Sequence, residues 1–239
     1  MIRRKTLGAV VLIIAGVMMI GGCSLNTIIS KAGEYKKMNE EPEFECVEDE
    51  TRSTAELAEI MKELGIKGIT DDVVASIDKT RSEMEEGTVY SVTGSMLSYA
   101  GQADYDFDTF TMTPKNDTVY SFDMEVFDIA SMYTDFLNGV KSIGHGELDF
   151  TNIKEDYNEL TGKKRVTFDW DGESYKISAS GDSDWFDMKA WEQLNKIIEE
   201  KRPGKRVYAT TDSYQEIILF YRDAEWAEKF EKEIGKKLY

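Results

Sequence analysis

The sequence predicts an α+β fold: a mainly antiparallel sheet built from hairpins, with helices packed on one face, preceded by two short helices. Three observations predict it. Alternating apolar and polar residues flank turn signals at residues 114–117 and 171–172, the pattern of hairpins. Apolar residues recur at spacings of three and four over 57–64, 129–140, 188–198 and 226–234, the pattern of amphipathic helices. A chain of 239 residues that is 41% hydrophobic and 11% aromatic also has ample apolar side chain for a packed core.

The first helix is expected from Ser53, where Ser53 and Glu56 have capping-box spacing and Leu57, Ile60, Met61 and Leu64 form one stripe. A second begins at Thr70 or Asp71 and ends before Gly87. The two are joined by "GIKGI", the outline of a helix-turn-helix, but the acidic charge opposes DNA binding. Strands are expected from Thr88 onward. Residues 105–113 and 118–126 read as the arms of a hairpin turning at Pro114-Lys115-Asn116-Asp117. In the second arm Tyr120, Phe122, Met124 and Val126 alternate with Ser121, Asp123 and Glu125, giving one buried and one wet face.

A helix from Asp128 follows, then a turn at Gly144-His145-Gly146 into a short strand carrying Leu148 and Phe150. The clearest hairpin comes next: Val166, Phe168 and Trp170, then Asp171-Gly172, then Tyr175, Ile177 and Ala179. Helix 188–200 ends at Pro203-Gly204. Strands near 206–210 and 215–221 lead into a last helix from Asp223, closing at Gly235.

The N-terminus has a different character. Arg3, Arg4 and Lys5 precede a charge-free apolar run from Leu7 to Gly22, the design of a secretory signal peptide. The run is 16 residues long, and a membrane span needs about 20. Its ending, Ile20-Gly21-Gly22-Cys23, resembles the lipobox of bacterial lipoproteins. That resemblance implies cleavage before Cys23, attachment to Cys23 of a diacylglycerol whose acyl chains include palmitate, and a position on the extracytoplasmic face of a bacterial membrane. Two acyl chains hold a protein stably where one is marginal.

Domain organisation follows as residues 1–22 signal peptide, 23–52 lipidated acidic tether, 53–87 helical segment and 88–239 α+β domain. Cleavage leaves 217 residues and, by removing three basic side chains, takes the formal charge from −17 to −20. Such a charge disfavours nucleic acid, so none is expected as a partner, and favours a cationic protein or peptide, beside the membrane contact through the lipid anchor. After lipidation Cys46 is the sole thiol. The carboxylates of Glu43, Glu45, Glu48, Asp49 and Glu50 around it disfavour its thiolate.

No catalytic constellation, metal set or cofactor motif is legible. Asp104-Tyr105-Asp106-Phe107-Asp108 opens like a calcium loop, but Thr109 stands where glycine is needed and Lys115 where the bidentate Glu belongs. Asp123 and Glu125 share one side of a strand, about 7 Å apart, the bare geometry of an acid–base pair and also of any wet strand face. His145, the only histidine, lies in a turn, and no G-x-S-x-G, P-loop, G-x-G-x-x-G, H-E-x-x-H or C-x-x-C occurs.

"DSDWFDMKAW" (182–191) interleaves aromatics and carboxylates. Phe186, Asp187 and Trp191 fit a hydrophobic staple around an N-cap, and Phe127, Asp128 and Met132 repeat it. Asp182, Asp184 and Trp185 stand outside that device and are the candidate binding residues, with Trp185 expected as an exposed anchor. The stretches "TVYSFDMEVFDIASMYTDFLNGV", "DWFD" and "TTDSYQEIILFYRDAEWAEKF" make the body from Tyr105 to Tyr239 resemble an uncharacterised bacterial domain. That resemblance implies one continuous domain and no functional residues. The expected function is a membrane-anchored module binding a protein or peptide, of a protective or immunity type. A small-ligand-binding lipoprotein and an unrecognised envelope enzyme are the alternatives.

Overall fold

A computed structural model describes residues 51–84, 90–109, 111–125, 130–181 and 184–239. The signal segment, residues 23–50 of the tether with Cys23 and Cys46, the staple residues Phe127 and Asp128, and Asp182 lie outside them. Among the described residues the elements are α1 (Thr54–Glu63), α2 (Asp71–Glu83), α3 (Val92–Gly101), β1 (Asp104–Asp106), β2 (Thr111–Thr113), β3 (Tyr120–Asp123), α4 (Met132–Ser142), β4 (Thr151–Asn158), β5 (Lys163–Trp170), β6 (Glu173–Ser180), α5 (Met188–Lys201), β7 (Lys205–Thr211), β8 (Glu216–Asp223) and α6 (Ala224–Ile234). The fold is α+β, with three antiparallel sheets ordered β1-β2, β3-β8-β7 and β4-β5-β6. None of these helices is long and apolar enough to cross a membrane.

The β3-β8-β7 sheet lies between two cores. In β8, Ile217, Leu219 and Tyr221 join a cluster with Phe136, Phe168, Trp170 and Trp191. Ile218 and Phe220 point the other way, into a cluster with Leu57, Met61, Met96, Leu97 and Phe230. Period-two alternation sends successive side chains to opposite faces, so a strand covered on both faces is apolar throughout. Helices therefore cover both sides of this sheet, which corrects the expected single helical face. The second cluster also spans the boundary drawn at residue 87, because α1 and α2 share it with α3, β8 and α6. Arg52 reinforces the join by donating to the carbonyls of Glu233 and Ile234 at the end of α6 (2.5 and 2.6 Å). A cation there meets the negative end of the helix dipole.

The Ser53 capping box forms as expected, and Thr70 caps α2. Asp171-Gly172 turns the β5–β6 hairpin with both residues at positive φ (51° and 79°), as a type I′ turn requires. Asp187 caps α5 through Lys189 N, and Phe186 and Trp191 are both buried in the first core.

Several expectations change. Residues 92–101 are helical where strands were expected, and α3 covers Ser121, so the expected wet face is buried there, half-buried at Asp123 and exposed at Glu125. The segments 105–113 and 118–126 do not pair: β1 and β2 form their own small hairpin, and β3 pairs with β8. Leu148 and Phe150 are buried in a loop, and the strand beyond them is β4.

Helix α4 starts at Met132, four residues later than predicted, and Ser131 makes no side-chain cap. Glu155 of β4 takes that role by accepting from Tyr133 N and Thr134 N at 3.0 Å each. It also pairs with Lys164, both side chains being only 4% exposed.

Candidate functional site

Three chain-distant segments meet at one end of the β3–β8 ladder. Met124 N donates to Gln215 O (2.9 Å), and Phe186 N donates to Met124 O (2.8 Å). An isolated antiparallel bridge joins Glu125 to Trp185. Residues 123–125, 184–187 and 212–216 thus form one edge. Asp184 and Glu125 are exposed on it, Trp185 is half-buried, and Tyr214 is 55% exposed. Gln215 ties the carboxylates together: its Nε2 donates to both oxygens of Asp123 (2.8 and 2.9 Å) and reaches Oε2 of Glu125 at 3.4 Å.

Helix α3 makes the edge possible by letting the backbone come close. A Cβ on Gly94 would lie 2.5 Å from Cα of Asp212, and one on Gly101 would lie 2.7 Å from the Ser121 nitrogen. The glycines bring the β7–β8 turn and β3 directly onto the helix, which encloses the carboxylates behind the edge. Asp212 organises that turn, accepting from Tyr214 N (2.9 Å) and Glu216 N (3.1 Å).

Burial drives the electrostatics. Asp123 and Asp212 are both held above the usual carboxylate range, chiefly because burial penalises the charged form. Gln215 partly offsets this for Asp123, as do the Tyr214 and Glu216 amides and Lys236 for Asp212. Glu216 is pushed up to about 8 by burial first and by Asp212 and Asp123 next, against the weaker opposing pull of Ser98 and Ser121. Desolvation and like charge act in the same direction here. A titratable cluster displaced in this way is a mark of functional sites, shared with some structural networks.

The edge gathers residues that the sequence singled out separately. Asp123 and Glu125 are together, joined through Gln215, and Asp184 and Trp185 flank them; Asp182 lies outside the described residues. Trp185 is half-buried where an exposed anchor was expected, because its backbone pairs with Glu125. Asp212, Gln215 and Glu216 were missed. "TTDSYQEI" carries polar residues as any turn does, and it is the packing of α3 that leaves Asp212 and Glu216 half-buried.

His145 stands elsewhere, exposed and at positive φ, with Nε2 2.9 Å from Arg222 Nη1. Partial burial and then the Arg222 charge lower its pKa. Asp106 caps its own turn through the Asp108 and Thr109 amides, and Asp104 pairs with Lys115 at 2.9 Å. Ser91 Oγ accepts from Gly94 N as the α3 N-cap and lies 3.5 Å from Lys236 Nζ, both residues being buried. Among the described residues no group of three His, Cys, Asp or Glu has the geometry to hold a metal ion. Two shallow concavities, one at Tyr157, Leu160 and Arg165 and one at Lys154, Tyr175 and Lys176, share no residue with the acidic edge.

No family model, curated protein or solved structure matches this chain.

Proposed function

We propose that this protein is a lipid-anchored, extracytoplasmic binding module whose acidic edge takes a cationic segment of a protein or peptide. The observation that supports it most is the convergence of residues 123–125, 184–187 and 212–216 into one edge of carboxylates flanked by Trp185 and Tyr214. Aromatic faces attract Lys and Arg side chains, and carboxylates pair with them, so both features favour the same ligand class. Neither concavity described above includes a residue of the edge, which favours an extended polypeptide over an enclosed small molecule. The anchor is read from Ile20-Gly21-Gly22-Cys23.

Affinity capture tests the binding. Immobilised full-length protein in nonionic detergent is exposed to secreted and envelope fractions, alongside a variant carrying Asp123→Asn, Glu125→Gln and Asp184→Asn. A basic partner retained by the wild type at low salt, released at high salt and absent from the variant supports the reading. Equal capture by both proteins sinks it. Intact-mass analysis tests the anchor: acyl mass on the wild type, lost in Cys23→Ala, is expected, and an unmodified Cys23 contradicts it.

A further inference from the structure

We propose that the end of the β3–β8 ladder is a proton-controlled latch on the acidic edge, closed while its half-buried carboxyls hold protons and loosened when they ionise. The proposal rests on the reading of this edge as the binding surface and assigns its regulation.

The geometry comes first. Asp123 and Glu216 are direct partners across the antiparallel ladder. Side chains so placed are neighbours, and like charges there repel. Oε2 of Glu216 is fully enclosed, and among the described residues nothing donates a hydrogen bond to it. The Ser98 and Ser121 hydroxyls favour the ionised carboxylate, but burial and the Asp212 and Asp123 charges oppose it more strongly. A proton on the Glu216 carboxyl removes the charge that this enclosure penalises.

The surrounding elements sharpen the conflict. Asp212 faces Glu216 from the β7–β8 turn, and Glu125 adds a negative charge beside Asp123. Helix α3 has no charged side chain and offers the hydroxyl of Ser98, and β3 offers that of Ser121. Among the described residues, Lys236 of the C-terminal segment is the cation that acts on Asp212. Full ionisation of Asp123, Asp212 and Glu216 leaves three negative charges against one positive. The raised values of all three groups agree with that picture.

The same ladder end carries the Met124–Gln215 hydrogen bond and the Gln215 contacts to Asp123 and Glu125. Repulsion between Asp123 and Glu216 strains the contact that holds segments 123–125 and 212–216 together. Ionisation also adds negative charge where a cationic segment would sit. The proton and the cationic ligand are thus alternative occupants.

Thermal unfolding of the full chain in nonionic detergent between pH 5.5 and 8.5 (about 3 pH units, within the range where such a group titrates) tests the latch, with oligolysine titrated into the same samples. Wild type is expected to lose on the order of 5 °C in Tm across this range. Glu216→Gln should remove most of that loss, and Asp123→Asn should reduce it. Oligolysine should bind wild type about ten-fold more tightly at the higher pH, with a smaller change in Glu216→Gln.

Parallel Tm profiles for wild type and Glu216→Gln would overturn the latch, as would a Glu216 carboxyl carbon that titrates by NMR at an ordinary glutamate pH. The NMR readout needs no variant to fold. A pH-dependent Tm with no oligolysine binding at any pH would keep the latch and overturn the binding surface.

Discussion

Glu216 faces Asp123 across the ladder with one oxygen enclosed and undonated, so its protonation is a stability term with a definite sign. Its folded pKa, about 8, lies above the ordinary value of 4.5. Both folded and unfolded chains bind the proton below the lower value, and neither does above the higher one. Between them the folded state alone holds it, so stability falls as pH rises through that window, the reverse of a salt-bridged carboxylate. The slope approaches about 1.4 kcal/mol per pH unit where the difference in protonation is largest.

Gly94 gives a second residue-scale prediction. A methyl there meets Asp212 Cα at 2.5 Å, so Gly94→Ala should destabilise by about 1–3 kcal/mol despite the better helix propensity of alanine. Chemical denaturation would register this as a lowered midpoint. An unchanged or raised midpoint would mean that the turn does not bear on α3 as described.

At the scale of elements, what was legible in the sequence depended on whether local pattern or distant packing makes the structure. The Asp171-Gly172 hairpin, the Ser53 box and the Asp187 cap are self-contained, and each forms where expected. Helix α3 was hidden because "VTGSMLSYAG" holds two glycines and β-branched residues, each poor in a helix interior. It forms because Val92, Met96 and Leu97 are buried in the second core while Gly94 and Gly101 admit the neighbouring backbone.

Strand β4 was hidden because it is an edge strand with little apolar alternation, and its meaning resides in Glu155. That carboxylate accepts the first amides of α4 and neutralises buried Lys164. Glu155→Ala should therefore cost about 3–5 kcal/mol by stranding a buried charge. Adding Lys164→Met should restore a substantial part of it. Equilibrium unfolding of the single and double variants decides the point, and additive losses would contradict the coupling.

At the scale of the whole molecule, a charge of −17 says only which partners are disfavoured. It is the fold that concentrates negative charge at one edge. Asp123, Glu125, Asp184 and Trp185 were each visible in the sequence, but nothing in spacing showed that residues 124, 186 and 215 would hydrogen-bond in succession. Asp212 and Glu216 could not be picked out, since their burial depends on a helix that local propensity conceals. A cationic ligand on an exposed edge should weaken steeply with salt, because the Debye length falls from about 10 Å at 0.1 M to about 3 Å at 1 M. Binding that is indifferent to salt would point to apolar contacts instead.

Amide NMR of the full chain in nonionic detergent, titrated with oligolysine at low salt, tests the acidic edge most directly. The expected result is a set of perturbed amides concentrated in residues 123–125, 184–187 and 212–216, lost in the Asp123→Asn, Glu125→Gln, Asp184→Asn variant. Perturbations spread evenly over the acidic surface, or centred on the exposed carboxylates of α1 and α2, would contradict it.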